Sequence, residues 1–399
     1  MSTYVRNAIV LGLLSAVGPF AIDMYIPALP SIAADLKTTT AATQMTLTAF
    51  FIAFGVCQIV YGPVSDMVGR KPPLYFGLML FTLGSIGCAL SPSVGWLIAC
   101  RFLQGVGASA VMVIPRAIIR DLHTGHEATR LMALVMLVFS VSPILAPLTG
   151  SALIVPFGWR AVFVAVTIAS VVSLMLLAFM LPETHPVQSR VRVGMRDVVN
   201  GFAKLLRDWH FLGLTFIGGL GMSSFFAFLA SSSFIYIDHF GLTPTQYSLA
   251  FALNAIGFIG ASQFAAPLGA KFGTARVVIG AVTLFMTFAL ILLAVTLLRV
   301  DRLPVLIGLL FVSFAWLGLV IPSTMVLSLE DHGPIAGIAS ALGGTLQMVT
   351  GAIMIGVVSV FFNGTPTPMV VTIAICAVAA FVVAFATLRT GELAAVAVE

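Results

Sequence analysis

The sequence predicts an all-α integral membrane protein, with twelve transmembrane helices in two pseudo-symmetric six-helix bundles. Of its 399 residues, 60% are hydrophobic and 8% charged, too little charge to cover a soluble surface. Apolar stretches of about 20 residues recur along the chain, the length of a spanning helix and twice that of an outer-membrane barrel strand. An internal echo between two loops divides these stretches into two sets of six.

Taken in order, spans fall near residues 7–29, 42–62, 73–91, 94–118, 131–153 and 161–181, then 210–236, 246–267, 277–298, 304–327, 335–359 and 367–388. The longest polar segment separates the sets. It gives an N-terminal bundle over 1–181, a cytoplasmic linker over 182–209 and a C-terminal bundle over 210–399. With the N-terminus inside, fourteen Lys and Arg residues, Arg190 and Arg192 among them, fall on the cytoplasmic side. Four (Lys37, Arg160, Arg299 and Arg302) fall outside, and Arg101 lies within a span. That bias puts both termini and the linker inside. It also assigns the net charge of +5 to orientation and not to nucleic-acid binding. Arg116, about 33 Å down span four from Val94, reads as one of these orientation charges at the cytoplasmic edge. The run after Arg6 continues to Leu29 without a small-residue cleavage site and reads as an uncleaved first span. Cys57, Cys88, Cys100 and Cys376 lie in apolar segments and read as packing residues, not disulfide or metal ligands.

Asp23 stands out within span one. A carboxylate at the centre of a spanning helix costs roughly 2.5–3.5 kcal/mol on insertion scales, so its default reading is functional. Arg101 is the matching cation of span four. Asp23 precedes Pro30 by seven residues and Arg101 follows Val94 by seven. If span one ends at Pro30, both sit about 10 Å below the outer surface and can face a shared cavity. Two readings stay open: a static ion pair, or a coupling site in which Asp23 carries a proton and Arg101 tunes it and orders water. The second has a physical basis, because a nearby cation favours an ionised carboxylate and burial favours a neutral one.

The halves echo each other in one loop. Gly62-Pro63-Val64-Ser65-Asp66-Met67-Val68-Gly69-Arg70-Lys71 links spans two and three, and Ala266-Pro267-Leu268-Gly269-Ala270-Lys271-Phe272-Gly273-Thr274-Ala275 links spans eight and nine. Pro63 aligns with Pro267 and Gly69 with Gly273, while Asp66 becomes Ala270. Parallel six-span repeats are a known transporter architecture.

At these residues the sequence resembles the major facilitator superfamily, and more narrowly the Bcr/CflA group of twelve-span bacterial drug:proton antiporters. Asp23-Met24-Tyr25-Ile26-Pro27-Ala28-Leu29-Pro30 resembles that group's first-span signature. Gly62 to Lys71 resembles the superfamily's cytoplasmic loop motif, with Met67 where an arginine is usual. Arg101-Phe102-Leu103-Gln104-Gly105 resembles its fourth-span motif, and Ser142-Pro143-Ile144-Leu145-Ala146-Pro147-Leu148-Thr149-Gly150 the fifth-span antiporter motif. The resemblance implies a bacterial inner-membrane exporter of small, often apolar antibiotics of the chloramphenicol and bicyclomycin kind, driven by inward proton flow through rocking of the two halves. It implies a conformational latch at Gly62, Asp66, Gly69, Arg70 and Asp121. Read from the residues, Arg70 can pair with Asp121 and Asp66 can cap span eleven of the other half near Gly333 and Pro334, with Arg70 and Lys71 as orientation charges alone the alternative. At Pro143, Pro147 and Gly150 it implies a bent helix packed against the other half, with a simple packing kink as the alternative.

The second half carries no acid or base well inside a span. Its interior polar candidates are Asn254, Gln263 and Gln347, beside Phe225-Phe226, Phe228 and Tyr236. A cavity of this kind suits neutral or weakly polar cargo, with contacts expected from Asp23, Tyr25, Arg101, Phe225, Tyr236, Asn254 and Gln347. Asp238 and His239 read as solvated. No phosphate-binding G-x-x-x-x-G-K-[ST], H-E-x-x-H or G-x-S-x-G pattern occurs, which excludes the corresponding ATPase and hydrolase chemistries. The expected partners are a small-molecule drug, protons and membrane lipids, for a monomer without a cofactor. A proton-coupled transporter of a native metabolite, sugar or amino acid, is the main alternative. A membrane sensor or scaffold is a more distant one.

Overall fold

In the computed structural model, which describes residues 3–122, 125–185 and 195–396, twelve helices are long and apolar enough to cross a membrane. Spans one to six are Arg6–Asp35, Thr40–Val68, Lys71–Ala89, Val94–Leu122, Arg130–Phe157 and Arg160–Met180. Spans seven to twelve are Trp209–His239, Pro244–Phe272, Thr274–Leu297, Leu303–Glu330, Ala336–Phe361 and Thr367–Leu388. There is no strand among the described residues. Arg190 and Arg192 of the orientation count, and 186–194 of the linker, lie outside the described residues.

Prolines decide where spans break. Pro27 has no amide hydrogen, and its ring excludes the carbonyl four residues earlier, that of Asp23. The first helix accordingly ends at Asp23, and the chain turns through Met24 and Tyr25. It resumes as a tight turn, Ile26–Ala28, and a second helix, Leu29–Asp35. Pro30 starts that helix instead of ending the span, because a missing amide is harmless in a first turn. This corrects the expected outer boundary: Asp23 lies twelve residues from Asp35, not seven from the end, and equal depth with Arg101 no longer holds. Pro267 interrupts span eight in the same manner, into Pro244–Ser262 and Ala265–Phe272. Gln263 sits exposed at that break, donating to Ile259 O at 3.4 Å, and is not the interior polar group expected.

The chain divides into two units, Met1–Gly194 with Leu242–Leu249, and Met195–Gly241 with Ala250–Glu399. The expected 182–209 linker is thus shared between them. In the first unit span four packs on spans two and three, span one on spans four, five and six, and span six on span three. The second unit repeats this six spans later: nine on ten, seven on ten, eleven and twelve, nine on twelve. The loop echo is also conformational. Gly69 at φ 98° and Gly273 at φ 86° each end a helix in the left-handed region that side chains avoid.

Leu11, Leu14, Leu78, Ile114, Leu131 and Leu177 form the centre of the first unit's buried core. In the second unit the linker helix, Met195–Leu205, buries Leu205 against Phe211, Ala339 and Leu342. Asp208 caps span seven, its Oδ1 accepting from the His210 and Phe211 amides at 2.9 and 3.0 Å. All four cysteines are free thiols.

Candidate functional site

The break after Asp23 presents its carboxylate to span five, where Ser142 Oγ donates to Oδ2 at 3.1 Å. Asp23 is buried, and no ion pair joins it to Arg101 among the described residues. The static pair considered from sequence is therefore not formed in this state. Arg101 is fully buried and committed elsewhere. Nη1 donates to Gln104 Oε1 at 2.6 Å and to the Ala21 carbonyl at 3.2 Å. Its guanidinium lies between two rings, 4.5 Å from the centroid of Tyr25 and 4.4 Å from that of Phe50. Among the described residues, no group accepts from Nε or Nη2.

Tyr25 is fixed on its other side by Thr46, hydroxyl to hydroxyl at 2.7 Å, and by Phe163 at 5.4 Å between centroids. Gln104 Nε2 donates to Ser85 Oγ at 2.7 Å. Asp23, Tyr25 and Arg101 thus come together on spans one and four of a single unit. In this state Tyr25 holds Arg101, its ring and hydroxyl both occupied.

Two glycines permit this. A Cβ on Gly105 would collide with the Phe50 carbonyl, so its absence lets span two bring the Phe50 ring over Arg101. A Cβ on Gly150 would collide with the Met24 carbonyl, directly after Asp23. At Gly150 the close neighbour of this segment is therefore span one. The Pro147 carbonyl accepts from Ser248 Oγ at 2.8 Å, in the Leu242–Leu249 segment grouped with the first unit. Gly150→Leu is expected to cost about 1–3 kcal/mol by overpacking and to lower both the thermal midpoint and transport. An unchanged midpoint in a fluorescence melt would contradict this close approach.

The loop after span two forms a polar clasp. Arg70 is buried; Nε donates to Asp121 Oδ2 at 2.7 Å and Nη2 to Asp121 Oδ1 at 3.3 Å. Nη1 reaches Ser65 Oγ at 2.8 Å and pairs with Asp66. Gly62 lies about two turns before the end of span two, where its carbonyl accepts from Ser65 Oγ at 2.8 Å. Glu183, which the sequence reading missed, completes the clasp. Its carboxylate accepts from the Arg70 and Lys71 amides at 2.9 and 3.0 Å, an anion on the open N-terminus of span three. The available signal was an acid directly after span six, on the same side as the loop. Glu183→Ala is expected to remove about 1 kcal/mol of capping and lower the thermal midpoint by a few degrees.

Two basic residues have partners that the sequence does not reveal. Arg116 is not a solvated edge charge: its guanidinium lies over the Phe139 ring at 5.7 Å, with Met112 Sδ at 3.8 Å. A longer span four, ending at Leu122, keeps it within the bundle. Arg160 clamps Asp35 at 2.7 Å beside Trp159, whose Nε1 donates to the same oxygen at 3.0 Å.

In the second unit, Phe225 stacks on Phe258 at 5.8 Å and meets Phe314 edge-on at 5.7 Å. Phe228 connects this cluster to Tyr236 at 6.3 Å. Tyr236 is buried on a π-helical stretch, Phe234–His239, and its side chain meets Asn254 of span eight. Gln347 lies apart from them: a Cβ on Gly218 would meet its Nε2 and Thr324 Oγ1, each at 2.9 Å. Asp238 and His239 are exposed, and His239 Nε2 pairs with Asp301 at 2.7 Å.

The Major Facilitator Superfamily model matches residues 11–355. The chain belongs to this superfamily. It is a transporter and not an enzyme. It is 36% identical, over 87% of each chain, to the uncharacterized MFS-type transporter YdgK of Bacillus subtilis. It is 30% identical, over 92% of each chain, to the bicyclomycin resistance protein homolog of Haemophilus influenzae. It is also 28% identical to the chloramphenicol resistance protein of Pseudomonas aeruginosa, covering 88% of this chain and 83% of that one. These relatives support the Bcr/CflA-type assignment drawn from the motifs. Among solved structures, the inward-facing bacterial homolog of the lysosomal transporter Spinster is similar with a TM-score of 0.78, at 14% identity and 98% coverage of both chains. For this superfamily member, Ser142 is the functional candidate that sequence reasoning passed over. It opens the fifth-span motif but shows its importance only once that span lies against Asp23.

Proposed function

We propose that this transporter exports small, largely apolar drugs of the chloramphenicol or bicyclomycin kind across the bacterial inner membrane, driven by protons and working by alternating access. The observation that carries the reading is Asp23, a buried carboxylate whose one side-chain partner among the described residues is a hydroxyl, while Arg101, the buried cation of span four, is held by other groups. Such a carboxylate is free to take and release a proton, and one that is neither paired nor protonated is expensive inside a membrane. Arg101 acts on it indirectly, by holding the span-one break through Ala21 and Tyr25. The relatives' names support drugs as cargo, and the aromatic cluster around Phe225 suits apolar molecules. Tyr236, Asn254 and Gln347 supply the few polar contacts. The clasp of Asp66, Arg70, Asp121 and Glu183 serves as the conformational latch. Both termini face the cytoplasm.

The test is accumulation of a labelled chloramphenicol-type drug in efflux-deficient bacteria expressing the protein. Low accumulation that rises on adding a protonophore supports the reading. Accumulation equal to that of empty-vector cells in both conditions removes this drug class.

A further inference from the structure

His332 lies in the turn between spans ten and eleven, 6% exposed, and takes no part in the coupling proposed for Asp23. Both of its ring nitrogens face oxygens. Nδ1 is 3.1 Å from the Ser328 carbonyl, and Nε2 is 3.1 Å from Asp208 Oδ2. A carbonyl oxygen only accepts, so Nδ1 carries a hydrogen. An ionised carboxylate also only accepts, so Nε2 needs a hydrogen as well. A neutral imidazole beside an ionised Asp208 has one hydrogen for two acceptors. The arrangement is satisfied only with one further proton.

The cap geometry indicates where that proton sits. Asp208 Oδ1 already accepts two backbone amides at the positive end of span seven, which favours an anion there. Burial pushes the Asp208 carboxyl up, but the Phe211 amide, the His332 ring and the His210 amide outweigh it and hold the group below its ordinary value. The extra proton therefore belongs to the imidazole, whose ring also meets Phe211 edge-on at 5.3 Å. Other titratable groups nearby point outward. Glu330 and Asp331 on the same turn, His210 beyond the cap, and Lys204 and Arg207 at the end of the linker segment are all exposed.

We propose that His332 and Asp208 form a second proton-binding site, distinct from Asp23, that ties the start of span seven to the turn between spans ten and eleven. Loss of the proton from Nε2 to water leaves a nitrogen lone pair facing a carboxylate, and the clasp opens. The clasp is thus present at low pH and lost as pH rises on that side of the membrane. By the positive-inside count that side is the cytoplasm, and this assignment of compartment alone rests on the proposed function. The site would make the inner end of the second unit responsive to the compartment from which cargo is taken.

Histidine-selective nitrogen NMR on the full-length protein in nanodiscs tests this without any transport assay. The chain has six histidines, and loss of a signal in His332→Gln assigns the one of interest. At about pH 6 both ring nitrogens of His332 are expected to carry hydrogens, one for each oxygen they face. Asp208→Asn retains a capping oxygen for the two amides but removes the anion, and is expected to convert His332 to a single neutral tautomer with hydrogen on Nδ1. Protection of the turn's amides, taken as exchange relative to the intrinsic rate at the same pH, is expected to fall about tenfold from acidic to alkaline pH in the wild type, and to be low at both pH values in Asp208→Asn. A neutral His332 at about pH 6, or a nitrogen pattern unchanged in Asp208→Asn, overturns the proposal. Should His332→Gln fail to fold, the Asp208→Asn comparison decides by itself. Proton binding without drug export would leave this site standing and remove the proposed function alone.

Discussion

Asp23→Asn is expected to abolish uphill drug export on an imposed pH gradient, a loss on the order of a hundredfold, while the protein accumulates in the membrane at its normal level. The replacement nearly preserves shape, and the asparagine oxygen still accepts from Ser142, so the packing of spans one and five survives. Only the ability to gain and lose a proton disappears. The magnitude is that of removing a positioned proton-transfer group. Proteoliposomes loaded with a fluorescent drug, with the pH inside and outside set independently, give the measurement. Asp23→Glu keeps a carboxyl on a longer arm and should retain part of the activity. Uphill export by the asparagine variant at wild-type rate would remove Asp23 from the coupling role.

Arg101→Met is expected to separate function from stability. Arg101 is buried with no carboxylate partner among the described residues, and none of them accepts from Nε or Nη2. Replacing this buried charge by an apolar side chain of similar length relieves a desolvation cost of about several kcal/mol. Against that stand two losses, the cation–π contacts with Tyr25 and Phe50 and a stranded Gln104 Oε1, of about 1–3 kcal/mol each. The two sides nearly cancel. The thermal midpoint should therefore move by only a few degrees, while drug export falls at least about tenfold because the span-one break loses its anchor at Ala21. Arg101→Lys keeps the charge without the flat face that fits between the rings, and should also transport poorly. A purely structural arginine would show the reverse pattern: a large drop in midpoint, with the surviving protein transporting normally. Parallel melting curves and initial export rates distinguish the two outcomes.

The spanning helices were legible because their signal is local. A run of about 20 apolar residues needs no tertiary context to be recognised, since lipid itself supplies the partner. The loop repeat was legible for a related reason. Gly69 and Gly273 occupy backbone conformations that other residues avoid, so the residue type reports the geometry directly. Asp23, inside the apolar run of span one, and the buried arginine of span four were likewise visible as expensive residues in an apolar setting.

Depth and partnership were not legible. Whether Pro30 ends span one or restarts its helix depends on how the chain packs beyond the turn, and both outcomes are compatible with the same proline. That one difference moved Asp23 twelve residues from the outer end and undid the equal-depth pairing with Arg101. Arg116 is similar: its guanidinium lies over the Phe139 ring, a contact that its position in span four does not announce. Ser142, Glu183 and the His332–Asp208 clasp join residues more than a hundred positions apart, and each is an ordinary polar residue until its partner arrives.

By itself, then, the sequence determined that the chain crosses a membrane twelve times as two repeated halves with charge buried in the first. It did so because hydrophobicity and backbone exceptions are properties of single segments. Which groups meet that charge was decided only by tertiary structure. Hydrogen-bond partners are selected within about 3 Å, a distance set by how helices bend and pack and not by any spacing along the chain.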